Sequence, residues 1–286
     1  VTGFWTLQVL NTLQQAALLL LISSGLSVSM GLMGFANLAH GALYMLGAYI
    51  GIAVAAKAGF WAALLAAPLA VGLLGAALYL GLLARLRGPM QQVLASFGLV
   101  FIAVEVVRIL WGDVALTLDR PALLSGSAAV LGVDYPIYRL FVILLGLVVG
   151  AGLWMGVHRS TLGAMLRASV ENRGMARAIG IRTEALFLAT FALGAALAGL
   201  GGAVAAPLYS ANPGMAISAL IPALIVTVIG GMGSITGAIL GALIVAGIEV
   251  FGAALWPDAS AVLIYAALAA TLIWRPQGLL AVKARR

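Results

Sequence analysis

The segment FWAALLAAPLAVGLLGAALYLGLL, residues 60–83, carries no charge and does not alternate polar with apolar positions. A helix of about 20 apolar residues matches the hydrocarbon thickness of a bilayer, whereas a barrel strand alternates over about 10. Comparable runs recur near 10–32, 37–56, 91–111, 136–157, 186–206, 218–232, 237–256 and 259–274. Unpaired backbone groups are not tolerated in hydrocarbon, so a spanning chain forms helices or a closed barrel, and this pattern selects helices. Composition agrees. Of 286 residues, 64% are hydrophobic and 8% charged, against roughly half and a quarter in soluble domains. The expected fold is all-α, a polytopic transmembrane helical bundle in one domain, residues 1–286. It has nine spans, or eight if the run at 218–232 is re-entrant.

The charges give an orientation. Net charge is +7, a balance that raises the question of nucleic acid. Here the basic residues sit in short joints between apolar runs, the mark of a cytoplasmic membrane face, so no nucleic-acid partner is expected. Arg85, Arg87, Arg159, Arg167, Arg173, Arg177, Arg182, Arg275, Lys283, Arg285 and Arg286 fall on one side, eleven of the 15 basic residues. Lys57, Arg108, Arg120 and Arg139 fall on the other. The first group is expected inside, which for nine crossings puts the N-terminus outside. The segment from Val1 lacks a positive leader region and a small-residue cleavage site, and reads as a retained span. Two joints are long: an external one at 112–135, with several Asp, and a polar, basic one at 158–185.

Polar residues inside apolar runs are functional candidates, since each needs a partner or a water-filled cavity. Asn37, His40 and Tyr44 lie in GLMGFANLAHGALYMLGAY, Gly31–Tyr49, and Glu249 lies in a late run with no partner nearby in sequence. These four are the expected pathway residues. For His40 the alternative is a plain hydrogen bond to a backbone carbonyl. Glu105 and Arg108, three apart on a helix face, are expected to pair. Gly233, Gly237 and Gly241 form a small-residue stripe for close helix packing, as do Gly194, Ala198 and Gly202. GGMG at 230–233 echoes GLMG at 31–34, and both read as helix breaks. In the basic joint, Asn172 caps a short helix and Gly180 ends it in the left-handed conformation, with Met175 and Ile179 on one face. The alternative there is an amphipathic helix resting on lipid.

Several chemistries are excluded. The chain has no cysteine, so disulfide, thiol and cysteine–zinc chemistry is out. A phosphate loop needs a Gly-Lys pair, but the lysines Lys57 and Lys283 follow Ala56 and Val282, so nucleotide hydrolysis is not expected here. His40 and His158 form no metal or catalytic constellation with neighbouring residues. The chain reads as a non-enzyme with no cofactor or metal of its own.

Three stretches together resemble the permease subunits of branched-chain amino acid ABC importers: SGLSVSMGLMGFANLAHGALYMLGAY (24–49), LGAMLRASVENRGMARAIGI (162–181) and VIGGMGSITGAILGALIVAGIE (228–249). The resemblance covers nearly the whole chain. It implies a bacterial inner-membrane bundle that pairs with a second, similar permease subunit, two cytoplasmic ATPase subunits and a periplasmic solute-binding protein. ATP and Mg are implied only on the ATPase subunits. It also implies that the basic joint holds the coupling helix, made of Asn172, Arg173, Met175, Ala176, Arg177, Ile179 and Gly180. The broader importer pattern of Glu-Ala-Ala followed by Gly is altered here, with Glu171 and Asn172 followed by Ala176 and Gly180. Relatives with this pattern import amino acids, urea, short amides or aromatic acids. A secondary transporter, or a passive channel for urea-like solutes, is the alternative reading from another class.

Overall fold

The computed structural model describes residues 2–86 and 88–280. Arg87, Lys283, Arg285 and Arg286, which entered the orientation count, lie outside the described residues. In chain order the helices are α1 (Thr2–Met33), α2 (His40–Ala58), α3 (Phe60–Gly81), α4 (Pro89–Trp111), α5 (Ile137–Arg159), α6 (Thr161–Glu171), α7 (Arg173–Ala178), α8 (Thr183–Ala205), α9 (Met215–Gly230), α10 (Ile235–Leu255) and α11 (Ser260–Trp274). Between α4 and α5 the long joint forms a hairpin of β1 (Ser127–Val130) and β2 (Val133–Pro136). Its turn is Leu131–Gly132, both at positive φ, as a tight two-residue hairpin turn requires.

Lipid supplies no hydrophobic force between helices, so association depends on how closely backbones approach. α1 is the hub, packed against α8, α10, α5 and α9. A Cβ added to Gly25 would meet Gly194 Cα at 2.6 Å, and one on Gly146 would strike Ala17. α2 lies against α8 in the same manner, with Gly47 on Gly199 and Gly202 on the Tyr44 carbonyl. The expected stripes are therefore contact surfaces. Gly237 abuts the Gly230 carbonyl, Gly241 abuts Val226, and Gly194, Ala198 and Gly202 are all buried. α3 packs one face on α8 and turns Leu65, Leu69 and Leu73 outward, four residues apart on one exposed strip. No residue of α11 is buried. Such apolar exposure fits a helix facing acyl chains or another membrane subunit.

Among the described residues eight helices are long and apolar enough to cross a membrane: α1–α5, α8, α10, and α11 with the turn before it. α9 has 16 residues, about 24 Å of helix against a hydrocarbon core of about 30 Å. The ninth apolar run is thus shorter than a full span. It still carries the chain between two levels of α1. In the turn before it the Tyr209 hydroxyl donates to Gln15 (3.2 Å); in the turn after it the Gly233 N–H donates to the Ser27 carbonyl (3.0 Å). These α1 positions are about 18 Å apart along the helix.

The two glycine echoes meet at that lower level. Gly31, near the end of α1, faces Gly233 so closely that a Cβ on either would crowd the other's Cα. Gly233 also needs its φ of +80° to turn the chain from α9 into α10, a conformation with little penalty only for glycine. The last carbonyls of α9 do not go unpaired. Beyond α11 the chain returns, and the N–H groups of Leu279 and Leu280 donate to the carbonyls of Ile229 (2.8 Å) and Gly230 (3.0 Å). That pairing removes the penalty of exposed helix-end acceptors in an apolar setting.

Replacing Gly237 by Leu is expected to destabilise the purified protein in detergent by roughly 3 kcal/mol or more, because the side chain meets backbone rather than a movable side chain. Gly152, with open space around it, should accept Leu with little change in thermal unfolding. Equal melting of the two variants would show that the α9–α10 contact does not hold the bundle.

Candidate functional site

α1 combines an apolar helix with a polar strip. Gln8, Asn11 and Gln15 recur at three- and four-residue spacing, and Gln14 lies beside them. This strip lines an open cleft of about 380 Å³ at the hairpin end of the bundle, with Arg139 of α5 and Tyr209 on its other walls. A second cleft of about 320 Å³ continues toward the middle, lined by Gln15, Leu18, Ile22, Tyr44, Tyr209 and Met215. The two share Gln15 and Tyr209. Each volume suits a small solute.

Gln15 joins three elements. Its Nε2 donates to Glu249 Oε2 (2.8 Å) on α10, and its Oε1 accepts from the Tyr209 hydroxyl (3.2 Å) after α8. Glu249, isolated in sequence, therefore has its tertiary partner. A second group centres on Asn11 Oδ1, which accepts from the Tyr135 hydroxyl (3.1 Å) and from Arg139 (2.8 Å). The turn after α8 is fixed from outside, since Leu116 and Ala211 exchange two backbone hydrogen bonds.

The four candidate pathway residues separate. Tyr44 lines the inner cleft, and Glu249 is one hydrogen bond from it through Gln15. Asn37 and His40 are 1% and 2% exposed and line neither cleft. His40 Nε2 lies 2.8 Å from the Ile22 carbonyl. A carbonyl only accepts, so that nitrogen carries the proton and the ring ties α2 to α1. His40 thus follows the backbone alternative in this conformation. The sequence reading passed over Gln14, Gln15 and Tyr209. The spacing of Gln8, Asn11 and Gln15 within an apolar run was the available signal.

At the opposite end, the basic joint is two helices rather than one. α6 begins at Ser160, whose Oγ accepts from the Gly163 N–H (3.0 Å). Asn172 then separates it from α7, accepting from Met175 N–H through Oδ1 (3.0 Å). α7 ends as expected: Gly180 has φ +89°, and the Gly180 and Ile181 N–H groups donate to the carbonyls of Arg177 and Ala176, the Schellman pattern. Ala176 is buried, while Met175 and Ile179 are 62% and 68% exposed. The arginines hold α7 onto α8. Arg173 stacks over the Phe187 ring at 4.4 Å, and Arg177 donates to Thr183 and pairs with Glu184 at 2.8 Å. A guanidinium is weakly hydrated and flat, which suits both arrangements. In α4, Glu105 pairs with Arg108 at 3.5 Å, and Arg108 also reaches Asp113.

Residues 8–272 match the family model for the permease component of branched-chain amino acid transport systems. The chain belongs to this family. It is 30% identical to the high-affinity branched-chain amino acid transport system permease protein BraD of Pseudomonas aeruginosa, over 96% of this chain and 94% of that one. It is 27% identical to the corresponding protein LivH of Escherichia coli K12, and 26% identical to LivH of Salmonella typhimurium, with the same coverage in both cases. The chain is thus a permease component, a multi-pass membrane transport subunit and not an enzyme.

The lack of native cysteine makes the clefts directly testable. Cysteines placed at Asn212 and Ser218, which line the inner cleft, are expected to react with a water-soluble thiol reagent. Cysteine at the buried Asn37 should be protected. Rapid labelling at position 37 with none at 212 and 218 would move the water-accessible pathway to the other face of α2.

Proposed function

We propose that this chain is the translocation subunit of an ATP-driven importer for branched-chain amino acids, resident in a bacterial inner membrane. It pairs with a second permease subunit, receives solute from a periplasmic binding protein and is driven by two cytoplasmic ATPase subunits that hold ATP and Mg. The end bearing α6 and α7 faces the cytoplasm in this reading. The accumulation of Arg159, Arg167, Arg173, Arg177 and Arg182 there supports it.

One observation carries the coupling role: α7 is rigidly fixed to α8 yet presents Met175 and Ile179 outward. Leu162 and Met165 of α6 are exposed as well. Apolar side chains collected at the polar end of a membrane protein suit a groove on a partner. A helix resting passively on lipid has no need of the Arg173–Phe187 stack and the Arg177–Glu184 pair that anchor this one. Movement of α7 has a route into the bundle. α6 packs on α1, and Val170 lies 3.9 Å from the position a Cβ would take on Gly233, at the α9–α10 turn. Binding alone shifts an equilibrium only by its differential affinity for the two states, so uphill import requires the ATPase to move this element.

Ile179→Ala is expected to weaken docking of the ATPase by roughly 1–3 kcal/mol, and Ile179→Asp to abolish substrate-stimulated ATP hydrolysis in the reconstituted complex. Wild-type stimulation and uptake by the Asp variant would return α7 to a surface helix. The orientation is checked separately. Cysteine at the exposed Ala164 should react with an impermeant reagent in inverted vesicles and not in intact cells.

A further inference from the structure

The outer cleft contains more hydrogen-bond donors than its own acceptors use. Gln14 is 4% exposed and lines the cleft, and its Nε2 has no partner among the described residues. Arg139 lines the same cleft. It donates from one terminal nitrogen to Asn11 Oδ1, while its buried Nε is unpaired. Tyr135, whose ring lies 6.0 Å from the guanidinium carbon, uses its hydroxyl on the same Asn11 oxygen. No carboxylate lies within ion-pair distance of Arg139 among the described residues.

Leaving a buried donor unmade costs free energy, and a cation in a half-buried cleft without a counter-ion costs more. Both costs disappear if an anionic oxygen enters the cleft. A guanidinium presents donors in a fixed fork that matches a carboxylate, and a neighbouring amide N–H adds orientation. Past Gln15 and Tyr209 apolar side chains such as Leu18, Ile22 and Met215 join the walls, beside Ser210, Asn212 and Ser218.

From this geometry we infer that Arg139 and Gln14 form a carboxylate-binding subsite at the outer mouth of the pathway, which seats an α-amino acid with its apolar side chain directed into the inner cleft. The inference rests on the reading of this chain as an amino acid permease and adds the chemistry that selects the solute within it. Asn11 and Tyr135 are positioning residues: they hold the guanidinium at the cleft wall. Urea and short amides lack the anionic group that this subsite completes, which separates them from amino acids at the first contact.

The test uses the whole transport complex in proteoliposomes, with a single reporter cysteine at Ala253, an exposed position lining the outer cleft. Leucine is expected to slow thiol labelling of the reporter. Leucinol, with the same side chain and amine but no carboxylate, should not. Arg139→Gln should remove the protection by leucine, and Arg139→Lys should retain part of it. Should the Gln variant fail to assemble, Gln14→Leu is measured instead, and the leucine concentration for half-protection should rise about tenfold, as expected for loss of one hydrogen bond to a charged group. Equal protection by leucinol and leucine would overturn the subsite, as would unchanged protection in the assembled variant. Leucine import without any protection of the reporter would overturn it too. ATP-driven leucine import is measured in the same vesicles; its absence in the unmodified complex would instead remove the amino acid reading on which the subsite rests.

Discussion

Backbone contact through glycine is the constraint on which this structure depends. In hydrocarbon an apolar side chain gains nothing by leaving lipid for another helix, so helices hold together where small residues let main chains touch. α1 is the centre of that arrangement. Gly25 meets α8, Ala17 meets Gly146 of α5, and Gly31 meets the α9–α10 turn. With α1 seated in this way, its polar strip of Gln8, Asn11 and Gln15 is brought opposite Arg139, Tyr209 and Glu249. The cleft is therefore a consequence of helix packing, completed by Tyr209 from the turn after α8. A larger residue at the packing glycines would move the walls of the cleft as well as loosen the bundle.

Complete pairing of polar groups is the second requirement, and it explains the less regular parts. α9 is too short for a full crossing, and its final carbonyls lie where water is scarce. They are paired by Leu279 and Leu280 from the returning chain. The same place receives Ser27 of α1, Gly233 and, from α6, Val170. One node thus connects the hub helix, the short helix and α6 of the basic joint. Stiff elements converging on one point pass a displacement from one end of a bundle to the other without melting any helix, which is what alternating exposure of a central cleft demands.

The sequence was most informative where a single element decides the outcome. Apolar length and the absence of charge in runs such as 60–83 read directly as helical spans, and Asn172 and Gly180 marked both ends of α7 because capping chemistry is local. The glycine stripes were legible as contacts, though their partners were not, since nothing in Gly237 points to Gly230. The site was less legible because its residues are brought together by packing. Glu249 stood out as a lone acid, yet its partner Gln15 is 234 residues away in sequence, and a glutamine near the start of a long apolar run does not stand out by charge. His40 stood out by type, but its type does not reveal that its Nε2 meets the Ile22 carbonyl. α6 is not legible in the sequence because Asn172, the cap of α7, gives no sign that a separate helix runs up to it.

The central claim is that this bundle moves solute because an ATPase acts on it. A secondary carrier would need ionisable groups along its path, and Glu249 is the intramembrane acid next to the cleft, already hydrogen-bonded to Gln15. A passive channel would need no anchored docking helix. The most direct measurement is uptake of labelled leucine into proteoliposomes holding this chain, its partner permease and ATPase subunits, and the solute-binding protein. The account predicts accumulation above the external concentration with hydrolysable ATP and none with a non-hydrolysable analogue, whatever ion gradient is imposed. Accumulation that follows a proton or sodium gradient without ATP, or equilibration that stops at equal concentrations, would contradict it.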